Sequence, residues 1–223
     1  MVDNPYQHRE LNAEAINLPL GKVVCVGRNY LDHIQELNNE VPEQALLFIK
    51  PSTALRYLSS PVFIPKNHGA CHNELEIAVL LDQPLKNASL EQAKNAIWGY
   101  GLALDLTLRD LQSELKLQGH PWERAKSFDA SCPISAFVAR SQILNDQSLR
   151  FALQVNDELR QQGSSEYMIR DIASLIVEIS HSFTLLPGDI VLTGTPKGVG
   201  ALQVDDKLTV SLAEHFSLET RVI

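Results

Sequence analysis

Sulfur is scarce in this sequence. Its three cysteines, Cys25, Cys71 and Cys132, are far apart and in no Cys-x-x-Cys spacing, which argues against a disulfide framework or a sulfur-ligated metal and for reduced packing residues. Basic residues are outnumbered as well, with 19 Lys plus Arg against 27 Asp plus Glu and a net charge of −8. That sign is wrong for a surface that must neutralise phosphates, so neither nucleic acid nor an anionic membrane is an expected partner. No apolar run approaches the roughly 18 to 20 residues of a transmembrane helix. The first ten residues, MVDNPYQHRE, have neither the basic start and apolar stretch of a secretory signal nor the Arg-rich, acid-poor character of a transit peptide, and a cytoplasmic protein is expected. Repeats, low-complexity tracts, charge blocks and Pro/Gly-rich linkers are missing too, which favours one domain over residues 1–223, with residues 1–20 as an N-terminal extension.

What the sequence does have is the composition of a folded globular chain, 44% apolar and 21% charged. Alternating or short apolar runs predict strands at Lys22 to Val26, Val62 to Ile64, Leu75 to Leu81, Ile97 to Leu104, Leu149 to Val155, Ile190 to Thr193 and Leu208 to Leu212. Val155-Asn156-Asp157-Glu158-Leu159 reads as a hairpin tip. Ser89 with Gln92 forms a capping box that starts one helix. A second is predicted from Thr107 to Leu117, with Leu108, Leu111 and Leu115 on one face and Gly119 ending it. Ile172, Leu175, Ile176, Ile179 and Phe183 make the apolar stripe of a third. Helices scattered among strands, without regular alternation, place the chain in the α+β class and not among doubly wound parallel sheets.

The first chemical signal is His72-Asn73-Glu74-Leu75-Glu76-Ile77. Strand side chains alternate, so Glu74 and Glu76 share a face while Leu75, Ile77 and Val79 take the other and belong to a core. Asp105 ends the apolar run Ile97 to Leu104, where an unpaired carboxylate is costly. It could cap the following helix, or join the two glutamates around a metal. An all-oxygen acidic set suits a hard cation, Mg²⁺ or Mn²⁺ with Ca²⁺ also fitting, better than Zn²⁺. His72 is left out of that set.

These residues resemble the fumarylacetoacetate hydrolase superfamily, in particular its small single-domain acylpyruvase and oxaloacetate decarboxylase branch. The resemblance runs from Val23 onward through Cys25-Val26-Gly27-Arg28-Asn29-Tyr30 with His33 and Glu36, Phe48-Ile49-Lys50-Pro51, the Glu74 segment, Asp105 to Gln112, Ala125-Lys126-Ser127-Phe128-Asp129, Arg160 to Gly163, Met168-Ile169, and Pro187 to Gly200. It implies a strand-rich mixed β-sandwich or roll with a few short helices, a homodimer, and Mg²⁺ or Mn²⁺ on Glu74, Glu76 and Asp105. It further implies that Lys126 sits beside the metal, that His33 and Glu36 lie on a short lid helix, and that Arg28 and Tyr30 contact substrate. The three-residue spacing of His33 and Glu36 agrees, since it puts both on one helical face.

The expected substrate is a small 2-oxo acid, whose carboxylate and carbonyl oxygens chelate one cation. Cleavage of an acylpyruvate would leave a pyruvate enolate stabilised by that cation, with positive charge added by Lys126 and Arg109 and a water activated by His33 under the orientation of Glu36. Gln112 shares a helix face with Arg109, and Thr195 in Gly194-Thr195-Pro196 offers a hydroxyl and a backbone N–H to a carboxylate. Acylpyruvate hydrolysis is the first expectation. Oxaloacetate decarboxylation or keto–enol tautomerisation through the same enolate is the alternative, and a non-catalytic dicarboxylate-binding member is a third reading.

Overall fold

The computed structural model describes residues 6–36 and 40–223. Leu75–Leu81 and Ile97–Leu104, both nearly continuous aliphatic runs, pair antiparallel through the centre of the largest sheet. Its order is Leu46–Lys50, Val23–Gly27, Ile190–Leu192, Leu75–Leu81, Ile97–Leu104, Cys132–Ile134 and Leu55–Tyr57, with Val138–Ala139 pairing to Ile97–Leu104. Val23–Gly27 is parallel to Ile190–Leu192, and Leu55–Tyr57 to Cys132–Ile134; the other pairings are antiparallel. Glu158–Ser164, Arg150–Val155, Lys207–Leu212 and Phe216–Arg221 form a second, antiparallel sheet, and Gly200–Ala201, Cys71–Asn73 and Thr107–Leu108 a short third one. Five short helices, α1 (Leu31–Glu36), α2 (Leu90–Asn95), α3 (Arg109–Leu117), α4 (Glu123–Lys126) and α5 (Ile172–Ser182), complete the described residues. None of them is long and apolar enough to cross a membrane.

Strand alternation divides the core. Leu75, Ile77, Val79 and Leu81 pack with Phe151, Leu153, Val210 and Leu212 of the second sheet and with Leu175, Ile176 and Ile179 of α5. Ala78 and Leu80 face a second cluster with Val23, Cys25, Ile134 and Phe137, to which the N-terminal residues Tyr6 and Ile16 add their side chains. A sheet covered on both faces accounts for strands that are apolar throughout and do not alternate. The outcome is the strand-rich α+β sandwich that the sequence predicts. All three cysteines are buried and unpaired.

The local signals behave as expected at most sites. Ser89 Oγ accepts from Gln92 N–H and Gln92 Oε1 from Ser89 N–H. Asn156 and Asp157, at φ 53° and 67°, form the two-residue tip that joins Arg150–Val155 to Glu158–Ser164. Two expectations fail. Val62 to Ile64 is no strand, only a bridge from Val62 to Val222, because Pro61 and Pro65 on either side lack the N–H groups that a ladder needs. The second helix starts at Arg109 and not at Thr107, since Thr107 and Leu108 pair with His72 and Cys71. Asp105 therefore caps no helix.

Gln161 ties the site-bearing strand to the loop after Leu192. Its Oε1 accepts from Asn73 Nδ2 at 2.8 Å and Leu75 N at 2.9 Å, while its Nε2 donates to Thr195 Oγ1 at 2.8 Å and Pro196 O at 3.0 Å. It is 1% exposed, so no water replaces a lost partner. Gln161→Leu is expected to cost about 3 kcal/mol, most of it from stranding the Leu75 N–H and the Asn73 amide. A fall in the urea midpoint with an unchanged m-value would register it.

Candidate active site

The register of the two central strands creates the site. Leu75 pairs with Leu104 and Glu76 with Ala103, which sets Glu74 opposite Asp105, joined by Asp105 N–H donating to Glu74 O at 2.8 Å. Glu74, Glu76 and Asp105 thus project from one face. All three are buried, and one carboxylate oxygen from each lies within 4.8 Å of the others.

Cations thread between these acids. Lys126, at the end of α4, donates from Nζ to Glu74 Oε2 and Asp105 Oδ2, each at 2.7 Å, and lies 5.1 Å from the Phe48 ring centre. Arg109 donates to Glu74 Oε1, and its Nη1 reaches Gln112 Oε1 at 2.7 Å. Lys50 is wholly buried, with Nζ 2.8 Å from Asp105 Oδ1 in a Coulomb contact that lacks hydrogen-bond alignment. Its protons go instead to the Lys126 and Ser131 carbonyls and Ser131 Oγ.

The two glutamates respond oppositely to this field. Burial opposes ionisation of Glu74, but Lys126 and Arg109 hold its carboxyl well below the usual carboxylate range. Burial, then the charges of Asp105 and Glu74, push the Glu76 carboxyl well above that range, against lesser relief from Lys126 and from Gly194 N–H at 2.6 Å. Burial disfavours the Lys126 charge, yet Asp105 and Glu74 keep its pKa above the ordinary lysine value. The Glu76 carboxylate in this field lacks compensating positive charge, and a hard divalent cation among the three oxygens would supply it. The donor set therefore fits Mg²⁺ or Mn²⁺.

His33 enters from α1. Its Nδ1 lies 3.2 Å from Glu36 Oε2, and the Glu36 carboxylate accepts from Gly198 N–H at 3.0 and 3.3 Å. Gly198 has φ +94°, and a Cβ there would lie 2.0 Å from Arg160 O, so only glycine brings the N–H to this point. With Nδ1–H given to Glu36, Nε2 is left as the basic nitrogen. His33, Lys126, the three acids, Arg28, Arg109, Gln112 and Thr195 line one cavity of about 40 Å³.

Two expectations need correction. Tyr30 is not on the cavity wall: it heads α1, bridges to Met168, and turns its ring edge-on to Phe151 in the core. Thr195 is on the wall, but its hydroxyl donates to Leu75 O at 2.9 Å and accepts from Gln161, so that proton is committed to the fold. Lys50, Gln161, Lys116 and Trp122 were not foreseen as site residues. Lys50 closes the apolar run Leu46–Lys50, the signal that picked out Asp105.

Residues 22–223 match the family described as fumarylacetoacetate (FAA) hydrolase C-terminal. The chain belongs to the fumarylacetoacetate hydrolase family. It is 50% identical over 219 residues, 98% of this chain and 100% of its relative, to the oxaloacetate tautomerase YcgM of Escherichia coli. A fumarylacetoacetate hydrolase family protein from Yersinia pestis superposes with a TM-score of 0.96 at 49% identity, covering 98% of this chain and 100% of that one. The fumarylpyruvate hydrolase of Pseudomonas aeruginosa, solved with Mn²⁺ and pyruvate, follows at a TM-score of 0.92 and 32% identity over 98% of this chain and 96% of that one. This chain is accordingly an enzyme of the fumarylacetoacetate hydrolase family.

Because burial, Asp105 and Glu74 all disfavour the charged form of Glu76, Glu76→Gln should leave the melting temperature of the metal-free protein within about 2 °C. The same change should remove most of the stabilisation given by Mg²⁺, about 2.7 kcal/mol at a hundred times Kd. Thermal unfolding with and without Mg²⁺ checks both halves. Affinity should also fall as pH drops, since binding must displace the Glu76 proton.

Proposed function

We propose that the protein interconverts the keto and enol forms of oxaloacetate, with Glu74, Glu76 and Asp105 holding Mg²⁺ or Mn²⁺. The observation that carries this reading is the oriented His33–Glu36 pair facing a buried carboxylate and lysine cluster across one small cavity. Tautomerisation needs a proton moved between C3 and the 2-oxo oxygen and little else. His33 Nε2 takes the proton from C3, the Glu36 carboxylate stabilises the positive charge that the imidazole gains, and Lys126 holds positive charge where the enolate oxygen develops. The same imidazolium then delivers the proton to the 2-oxo oxygen, which completes the enol. When bound, the cation would polarise the 2-oxo group as a Lewis acid. The high identity to an oxaloacetate tautomerase supports the substrate.

α1 carries His33 over the cavity, and the family likeness gives this helix a lid's role over the substrate. Assembly as a homodimer and a single catalytic domain, both resting on the family likeness, complete the proposal, with a cytoplasmic location as the sequence composition leads one to expect. Acylpyruvate hydrolysis stands as a second reading because His33 and Glu36 could equally activate a water, and because the 32% identical structural relative is a fumarylpyruvate hydrolase. Decarboxylation of oxaloacetate would share the enolate without needing that water.

Enol-oxaloacetate, keto-oxaloacetate and acetylpyruvate should be compared at equal enzyme and Mg²⁺. Tautomerisation is expected to exceed acetylpyruvate cleavage in kcat/KM; the reverse order would reject the tautomerase reading in favour of the hydrolase. His33→Ala should lower kcat by roughly 10² or more while keeping the Mg²⁺-induced rise in melting temperature. Lys126→Ala should depress every reaction, because all of them pass through the charge it stabilises. Glu36→Gln separates the two readings: a hydrolase should lose acetylpyruvate cleavage far more than oxaloacetate decarboxylation, whereas a lid role lowers both alike.

A further inference from the structure

Lys116 is a cation at the cavity that the chemistry above does not use. It lies in the last turn of α3, seven residues after Arg109 and four after Gln112, and so on the same helical face. All three line the cavity. The Lys116 ammonium sits 5.0 Å from the centre of the Trp122 ring, which is part of the same wall, and this contact fixes where the charge is presented.

Its electrostatic setting differs from that of its neighbours. Arg109 and Lys126 are spent on Glu74 and Asp105. Among the described residues no carboxylate forms an ion pair with Lys116. Partial burial, then the charges of Arg109, Arg28 and Lys126, hold its pKa below the ordinary lysine value. A lysine on the cavity wall that no carboxylate pairs among the described residues is arranged for an anion that arrives from outside. A 2-oxo acid's own carboxylate belongs beside the acid cluster and its cations, so the anion left for Lys116 is a second one, at the far end of the molecule.

We propose that Lys116 receives the distal carboxylate of a dicarboxylic 2-oxo acid, and that it makes the site prefer a four-carbon diacid over an acylpyruvate with a neutral tail. The inference rests on the tautomerase reading for its substrate and extends it to a specificity residue. Lys116 touches the non-reacting end of the substrate, so its removal should act on binding more than on turnover.

The test compares oxaloacetate with its 4-methyl ester, which keeps the 2-oxo acid and neutralises only the far end. Lys116→Met should raise KM for oxaloacetate about tenfold, the scale of one charge-assisted hydrogen bond, with kcat within about threefold. The KM for the ester should stay within about twofold. Lys116→Arg should preserve the preference for the diacid. Equal changes for both substrates, or none for either, overturn the proposal. Should the unmodified protein fail to tautomerise oxaloacetate at all, the tautomerase reading falls by itself. Calorimetric dissociation constants for the two ligands at 25 °C with Mg²⁺ then decide the subsite: loss of the diacid preference in Lys116→Met supports it, and persistence of that preference refutes it.

Discussion

Antiparallel register sets Glu74 directly against Asp105 and Glu76 one step away, in a place that water barely reaches, and the surrounding structure has to make that tolerable. Isolated buried carboxylates cost several kcal/mol each. The solution is an alternating chain of charge, Lys50, Asp105, Lys126, Glu74 and Arg109. Each link comes from a different element: a sheet strand, the end of the neighbouring central strand, a one-turn helix, the strand opposite, and the start of α3. Lys50 binds two of these elements further, because its ammonium is buried from solvent and donates to the carbonyls of Lys126 and Ser131. Glu76 stands outside the chain of pairs, which is why burial and its acidic neighbours push its carboxyl upward.

Local and global charge disagree in this protein. The whole chain carries −8, yet the ligand expected at the cavity is an anion. Arg28, Arg109, Lys116 and Lys126 share a cleft with Glu74, Glu76 and Asp105, between apolar walls from Leu46, Phe48 and Trp122, where the low dielectric strengthens each charge relative to the exposed acids outside.

The sequence was most legible where chemistry and periodicity coincide. Glu74 and Glu76 could be placed on one face because the strand period is two, and Asp105 was conspicuous because it ends an apolar run. The capping box at Ser89, the Asn156-Asp157 tip and the stripe of α5 follow from local rules and appear as those rules say. Residues whose role depends on distant partners were harder to read. Gln161 looks like any polar residue in an exposed hairpin until Thr195 and Leu75 are brought to it. Lys116 looks like an ordinary basic residue in a last helical turn, and nothing local shows that Trp122 and three other cations surround it. Tyr30 is hard to read for the same reason, since its backbone bridges to Met168 and its ring packs against Phe151, both far along the chain. Family resemblance supplied the lid pair, and spacing alone could only permit it.

The central sheet seats Val23–Gly27 beside Ile190–Leu192 in parallel, and the loop that follows Leu192 delivers Gly194 N–H to Glu76. Contacts of such sequence separation are the slow ones to form. During synthesis from the N-terminus, the acid cluster and Lys126 emerge long before the strand that completes their sheet and the loop that closes over them. A nascent chain therefore carries the ligands of the site without its walls, and competence arrives only near the end of translation. Truncation after α5 would leave both faces of Leu75–Leu81 short of partners and an acidic cluster open to water, a species that quality control would meet as exposed hydrophobic surface. Geometry that makes the finished pocket rigid is thus the same geometry that forbids a partial one.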